Sequence, residues 1–207
     1  VTASDGLGNT TARSIVVNRD RQAPIISTTP ASLPLYTNAT SQSFAASATD
    51  ALSAPTISVG LNTVAQATSV ANGLTANWSG TSLVLSEGTN VITVDAVDLA
   101  GNKASQTKFS VVRDTVLPTL SMSSSFNSNG SSSYSVTGTV TELNPDIVTL
   151  TKTNTSQSGT KFTKTYVGGS KWSVTVTGLV SGSNTFSVVA RDKAGNVSTT
   201  KSITVTR

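Results

Sequence analysis

Apolar and polar residues alternate over short runs through most of the chain, the period of two that a half-buried β-strand requires. Ile92, Val94 and Ala96 share one face of such a run, and Phe186, Val188 and Ala190 share the face of another. Val1 and Ala3 continue the same pattern at the start. A second run follows each of these after a polar segment: Ile15 with Val17, Phe109 with Val111, and Ile203 with Val205. Each pair of runs predicts a β-hairpin that turns one face to a core. Towards the C-terminus the alternation predicts strands near Thr119–Ser123, Tyr134–Val140, Ile147–Lys152, Lys161–Val167, Lys171–Thr177, Asn184–Arg191 and Ser198–Thr206. A similar series precedes them, less regular between Thr56 and Asn77. No stretch sustains a helical period.

The hairpins repeat. Val1–Asn9, Val94–Asn102 and Val188–Asn196 each run from alternating residues into an Asp, a Gly and an Asn, and Gly8, Gly101 and Gly195 stand 93 and 94 residues apart. Arg19, Asp20 and Pro24 match Arg113, Asp114 and Pro118 at a spacing of 94, and Arg207 lies 94 beyond Arg113. A fixed period of this size marks a tandem array of one small unit. About seven short strands in roughly ninety residues, parted by Gly, Asn and Ser turns, is the pattern of an immunoglobulin-like sandwich. The expected fold is therefore all-β, tandem immunoglobulin-like β-sandwiches of about seven strands each. Residues 1–20 are the closing hairpin of a preceding repeat, and 21–115 and 116–207 are complete domains. Pro24 and Pro118 stiffen short joins, so the expected assembly is a semi-rigid rod. The repeat also predicts a parent chain continuing at both ends, with an Asp after Arg207 and a Pro a few residues later.

Composition narrows the function classes. Charged residues are 12% of the chain, about half the usual share, while Ser and Thr make up roughly a third, so hydroxyls keep the surface wet. Enough Val, Ile, Leu and Phe remain for a packed core rather than a disordered tract. The sequence has no Cys and no His, which removes disulfides, thiolate zinc sites, cysteine nucleophiles and the commonest general base. The net charge of +4 reflects few carboxylates rather than many cations, a weak pointer to polyanions. No run approaches the roughly 18 apolar residues of a membrane helix.

The stretch Trp78, Leu83, Leu85, Gly88, Asn90, Ile92, Val94, Ala96, Asp98, Ala100, Gly101, Asn102 returns as Trp172, Leu179, Gly182, Asn184, Phe186, Val188, Ala190, Asp192, Ala194, Gly195, Asn196. On these residues the units resemble the tandem bacterial immunoglobulin-like repeats, fibronectin-like β-sandwiches, of secreted and cell-surface proteins. The front half of each unit agrees more loosely, through Val136–Glu142 and Phe44–Asp50. The resemblance implies a β-sandwich in an extracellular, mostly non-catalytic role. One departure is that no tyrosine follows the Leu-x-x-Gly approach to the sixth strand; Val91 and Thr185 stand nearby.

Candidate sites have structural explanations in the sequence. Asp98, Gly101 and Asn102, with Asp192, Gly195 and Asn196, are explained by turn chemistry, since Asp and Asn bond neighbouring backbone and Gly supplies positive φ. On that reading no cofactor is needed and chelation leaves the melting temperature unchanged. Calcium at domain junctions would require Asp98 or Asp192 to join Asp20, Asp114, Asp50 or Glu142 through converging loops. Trp78 and Trp172 could stack on sugars, but Trp172 shares its face with Val174 and Val176, which predicts core packing. Lys152, Lys161, Lys164 and Lys171 could form a cationic face, with Phe162 and Tyr166 explained by strand packing and edge lysines by protection against aggregation. The Asn38 and Asn154 glycosylation-type triplets are as frequent as chance predicts. Catalytic, cofactor-binding and metal residues are each expected to be none.

The expected function is a non-catalytic structural or spacer segment of an extracellular bacterial surface or appendage protein. The alternative is an accessory carbohydrate-binding or adhesive module of a secreted polysaccharide-acting enzyme or adhesin. Expected partners are neighbouring repeats or subunits of the same surface protein, with cell-envelope or extracellular polysaccharide as a second class. Specific nucleic acid and a membrane span within this segment are not expected.

Overall fold

The computed structural model describes residues 1–71, 73–154, 160–165 and 170–207. Among them every regular element is a strand, as the alternation predicts. An opening hairpin pairs β1 (Thr2–Ser4) with β2 (Thr10–Ala12). There follow β3 (Ile25–Thr29), β4 (Tyr36–Thr37), β5 (Ser41–Thr49), β6 (Pro55–Leu61), β7 (Val64–Val70), β8 (Thr75–Val84), β9 (Gly88–Asp98) and β10 (Thr107–Arg113). These make a three-stranded sheet ordered β3-β5-β8 and a five-stranded sheet ordered β4-β10-β9-β6-β7.

The second series comprises β11 (Thr119–Ser121), β12 (Ser125–Asn127), β13 (Tyr134–Thr141), β14 (Pro145–Lys152), β15 (Lys161–Thr165), β16 (Lys171–Val176), β17 (Ser183–Asp192) and β18 (Lys201–Thr206). Its sheets are β11-β13-β16 and β12-β18-β17-β14-β15, the strand order of the first series over again. Both series are immunoglobulin-like β-sandwiches. Each has eight strands rather than about seven, because β4 and β12 are short strands that pair in parallel with β10 and β18. Pro55 and Pro145 open β6 and β14, a strand position that tolerates the missing N–H.

By compactness the chain divides into one unit of Val1–Ala31, Phe44–Thr81 and Ile92–Lys108, and another of Ser32–Ser43, Ser82–Val91 and Phe109–Arg207. The first buries Phe44, Ile57, Val59, Trp78, Ile92 and Val94. The second buries Leu120, Val136, Val148, Leu150, Trp172, Phe186 and Val188 among others, with Met122, Phe126, Tyr134 and Phe162 packed against them. Trp172 lies over a gap that only glycine leaves open. A Cβ at Gly138 would sit 2.6 Å from its Cζ2 and 2.8 Å from the Ser121 carbonyl oxygen.

One expectation and one alternative reading fail. No strand forms through Ile15 and Val17; residues 13–24 carry no strand and both side chains are exposed. Their counterparts lie in β10 and β18, each held by a neighbouring strand and a core that the opening hairpin lacks. The second is the cationic-face alternative at Lys152, which is only 1% exposed. It points inward in phase with Val148 and Leu150, and its Nζ donates to the Gly178 carbonyl at 2.7 Å. Lys161, Lys164 and Lys171 are exposed, the first two on the edge strand β15. Tyr166 and the end of the strand expected to reach Val167 lie outside the described residues.

Candidate acidic triads

The hairpin turns are built as the sequence implies. Asp98 accepts the Asn102 backbone N–H at 2.8 Å and the Asn102 side-chain amide at 2.8 Å. Asp192 does the same with Asn196, at 2.8 and 2.7 Å. Gly101 and Gly195 follow at φ of 89° and 94°, in the region where a Cβ is strained. Both aspartates end a strand in phase with its apolar face, so they are carried inward, and both are buried.

The loops also converge. Asp20 precedes β3, Asp50 follows β5 and Asp98 ends β9, and one carboxylate oxygen from each lies within 4.8 Å of the other two. Asp114 follows β10, Glu142 follows β13 and Asp192 ends β17, and they meet in the same way. The condition set by the sequence for a junction calcium site, that Asp98 or Asp192 be joined by acids from other loops, is met in both sandwiches. Asp20 and Asp98 correspond to Asp114 and Asp192 at the repeat spacing of 94. Glu142 stands where the first copy has Asp50.

Each carboxylate is fixed before any ligand arrives. Asp50 Oδ1 accepts from the Leu52 and Ser53 N–H groups, while Asp20 accepts from the Gln22 N–H and the Ser53 hydroxyl. In the second triad Asp114 Oδ1 takes the Val116 N–H, and Glu142 Oε1 takes those of Leu143 and Asn144. Glu142 Oε2 is shielded from solvent and has no hydrogen-bond partner. Burial pushes the Asp98 carboxyl up, but hydrogen bonds from the Asn102 side chain and backbone, from Ser53 and from Ala100 outweigh it and hold the group below the usual aspartate value. Asp98 is therefore poised as an anion. Neither ion pair among the described residues, Arg113 with Glu87 and Arg191 with Asp146, involves a triad carboxylate. Three carboxylates so close together, most of them buried, carry repulsion that a divalent cation would relieve, and calcium takes six to eight oxygens of this kind.

Asn196 does more than close its turn. Its Nδ2 also donates to the Asp114 carbonyl at 2.7 Å, and its Oδ1 accepts from Asn38 at 3.2 Å. Sequence reasoning missed this role because the partners lie 82 and 158 residues away. It also missed the buried Asn90 and Asn184. Asn184 accepts from the Val180 N–H and donates to the carbonyls of Val180, Gly182 and Val205, and Asn90 holds the Ser86 backbone and the Gly88 carbonyl alike. They anchor the approach to β9 and β17, where a corner tyrosine is missing. Trp78 and Trp172 are buried as expected, Trp78 beside Phe44 with ring centroids 6.1 Å apart.

No family model matches the chain and no curated protein matches it. Among solved structures it is similar to the fibronectin(III)-like modules of Clostridium thermocellum CbhA, at 16% identity and a TM-score of 0.44, over 88% of this chain and 93% of that one. It is similar to an I-band fragment of titin at 17% identity and a TM-score of 0.47, over 89% of this chain and 63% of the fragment. The adhesin InvE of Yersinia pseudotuberculosis aligns at 12% identity with a TM-score of 0.34, over 88% of this chain and 58% of the adhesin. The chain thus spans less than two thirds of the titin fragment and of the adhesin.

Proposed function

We propose that the chain is a non-catalytic structural or spacer segment of an extracellular bacterial surface or appendage protein, and that each sandwich is locked by a calcium ion held at its acidic triad. The observation that carries this reading is the recurrence of three converging carboxylates at equivalent places in the two sandwiches. Turn chemistry accounts for the Asp–Asn pairs but gives no reason for two further acids to approach each of them. The shielded, unpartnered Glu142 Oε2 is an acceptor that a cation would satisfy. The extracellular setting rests on the resemblance carried by residues 78–102 and 172–196, and it suits this ion, because calcium is plentiful outside cells. Trp78 and Trp172, the residues a sugar-stacking role would use, are core residues in both sandwiches.

Thermal unfolding of the full chain in EDTA and in calcium tests the proposal. At about a hundredfold excess over its dissociation constant, calcium bound only to the folded state adds about 2.7 kcal/mol, a rise of several degrees in Tm. Magnesium, which demands tighter octahedral geometry, is expected to do less. Identical melting curves in EDTA and in saturating calcium would overturn the cation sites and leave turn chemistry as the whole account of these residues.

A further inference from the structure

The outer face of the first sandwich's five-stranded sheet carries a groove of about 320 Å³, lined by Thr56, Ser58, Thr68, Asp95, Val97 and Lys103. Strand parity brings these side chains together. Thr56 and Ser58 alternate with the buried Pro55, Ile57 and Val59 of β6, and Asp95 and Val97 alternate with the buried Val94, Ala96 and Asp98 of β9. Thr68 of β7 stands opposite Ser58, Ser58 opposite Asp95, and Thr56 opposite Val97. Past the end of β9, Lys103 pairs with Val97 through a single bridge, and Gln106 donates from Nε2 to both oxygens of Asp95 at 2.8 and 2.9 Å. Two adjoining rungs result, one reading Thr68, Ser58, Asp95, Gln106 and the other Thr56, Val97, Lys103.

The second sandwich shows that the fold does not require this set. At the same places in its sheet, Thr163 stands opposite Thr149, Thr149 opposite Val189, and Ile147 opposite Arg191. Val197 makes the bridge that Lys103 makes, and Thr200 lies at the repeat spacing from Gln106. Hydroxyls recur there, which is enough to wet the outer face of an antiparallel sheet. The carboxylate, the amide and the ammonium do not recur, and Arg191 is taken by Asp146. In the first sandwich Asp95 and Lys103 are both exposed, and neither belongs to an ion pair among the described residues. An amide rather than a cation orients the Asp95 carboxylate, which keeps its charge and its remaining lone pairs for another donor. The Lys103 ammonium, one rung away, brings three hydrogens that seek acceptors.

We infer that this groove is a binding site for a short neutral saccharide. An anionic ligand meets the repulsion of Asp95, and a cationic one that of Lys103. A sugar satisfies both, because one hydroxyl donates to the carboxylate while its neighbour accepts from the ammonium. Thr56, Ser58 and Thr68 add hydroxyls that donate and accept, and Val97 gives the ring C–H groups an apolar contact. The volume lies at the lower end of the range for small-molecule sites, roughly 300–1,000 Å³. With no aromatic ring in the lining, binding rests on hydrogen bonds exchanged with water and is weak at a single site. The groove stands apart from the acidic triads and from the buried Trp78 and Trp172, so it needs neither calcium nor a stacking tryptophan.

Amide chemical-shift titration of the full chain tests the site, with cellobiose, maltose, lactose and N,N′-diacetylchitobiose as neutral probes and digalacturonate and glucosamine as charged ones. At least one neutral sugar is expected to shift Ser58, Thr68, Asp95, Val97 and Lys103 saturably, in EDTA as in calcium, and to leave Thr149, Thr163 and Val189 in place. Asp95→Val and Lys103→Val copy Val189 and Val197 of the second sandwich, so the fold tolerates them. Each is expected to weaken binding about tenfold, the loss of one hydrogen bond to a charged group, with the melting curve unchanged. The inference is overturned if no neutral sugar gives saturable shifts, or if the second sandwich shifts equally. Tighter binding of digalacturonate or glucosamine, or binding that both variants leave intact, overturns it as well.

Discussion

Lys152 occupies a place in β14 that alternation assigns to an apolar side chain. Val148, Leu150 and Lys152 share the inward face and oppose Ala190, Val188 and Phe186 of β17. Sequence parity already carried this signal; charge alone put the residue on a surface. Burial lowers its pKa below the ordinary lysine value, so in the folded state the cation is disfavoured relative to the unfolded chain. Between the lowered folded value and the unfolded value near 10.4 the unfolded state holds more protons, and stability rises with pH across that window. Urea unfolding at a series of alkaline pH values is expected to show this gain in the natural chain and not in Lys152→Met. Parallel profiles for the two proteins would mean that the Gly178 contact fully compensates the burial.

At the level of the strand, β9 and β17 show how much of the fold alternation contains. The inward face of β9 reads Asn90, Ile92, Val94, Ala96, Asp98, and that of β17 reads Asn184, Phe186, Val188, Ala190, Asp192. The apolar centre of each stripe was legible because burial and period coincide. The polar ends were in phase as well, but their purpose lies in loops the sequence does not bring together. The Asn end holds the turn before the strand. Asn184→Ala leaves several buried backbone groups without partners and is expected to cost about 2–3 kcal/mol, read as a lower urea midpoint with an unchanged slope. A cost under about 0.5 kcal/mol, the range of an ordinary surface change, would show that water replaces the side chain. The strands β4 and β12 were not legible at all. They are two and three residues long, too short for a period, and exist because β10 and β18 offer open edges far away in sequence.

Across the whole molecule the repeat was plain from its turns, whereas the acidic triads were visible only as a condition, since their members lie 28 to 78 residues apart. Two equivalent triads predict a count. Calorimetric titration of the full chain is expected to give two calcium ions, and Asp98→Asn or Asp192→Asn to give one each; a single variant that abolishes all binding would mean that the triads do not act separately. The parallel pairing of β12 with β18 has a mechanical consequence. Ser125, Phe126 and Asn127 lie beside Thr204, Val205 and Thr206, so a pull that drags the start of this sandwich one way and its end the other slides the two strands along each other. Their cross-strand hydrogen bonds are then strained together rather than unzipped one at a time. A segment under tension resists through the rate at which it unfolds rather than through its equilibrium stability, and this clamp of three residue pairs sets where the load is first borne.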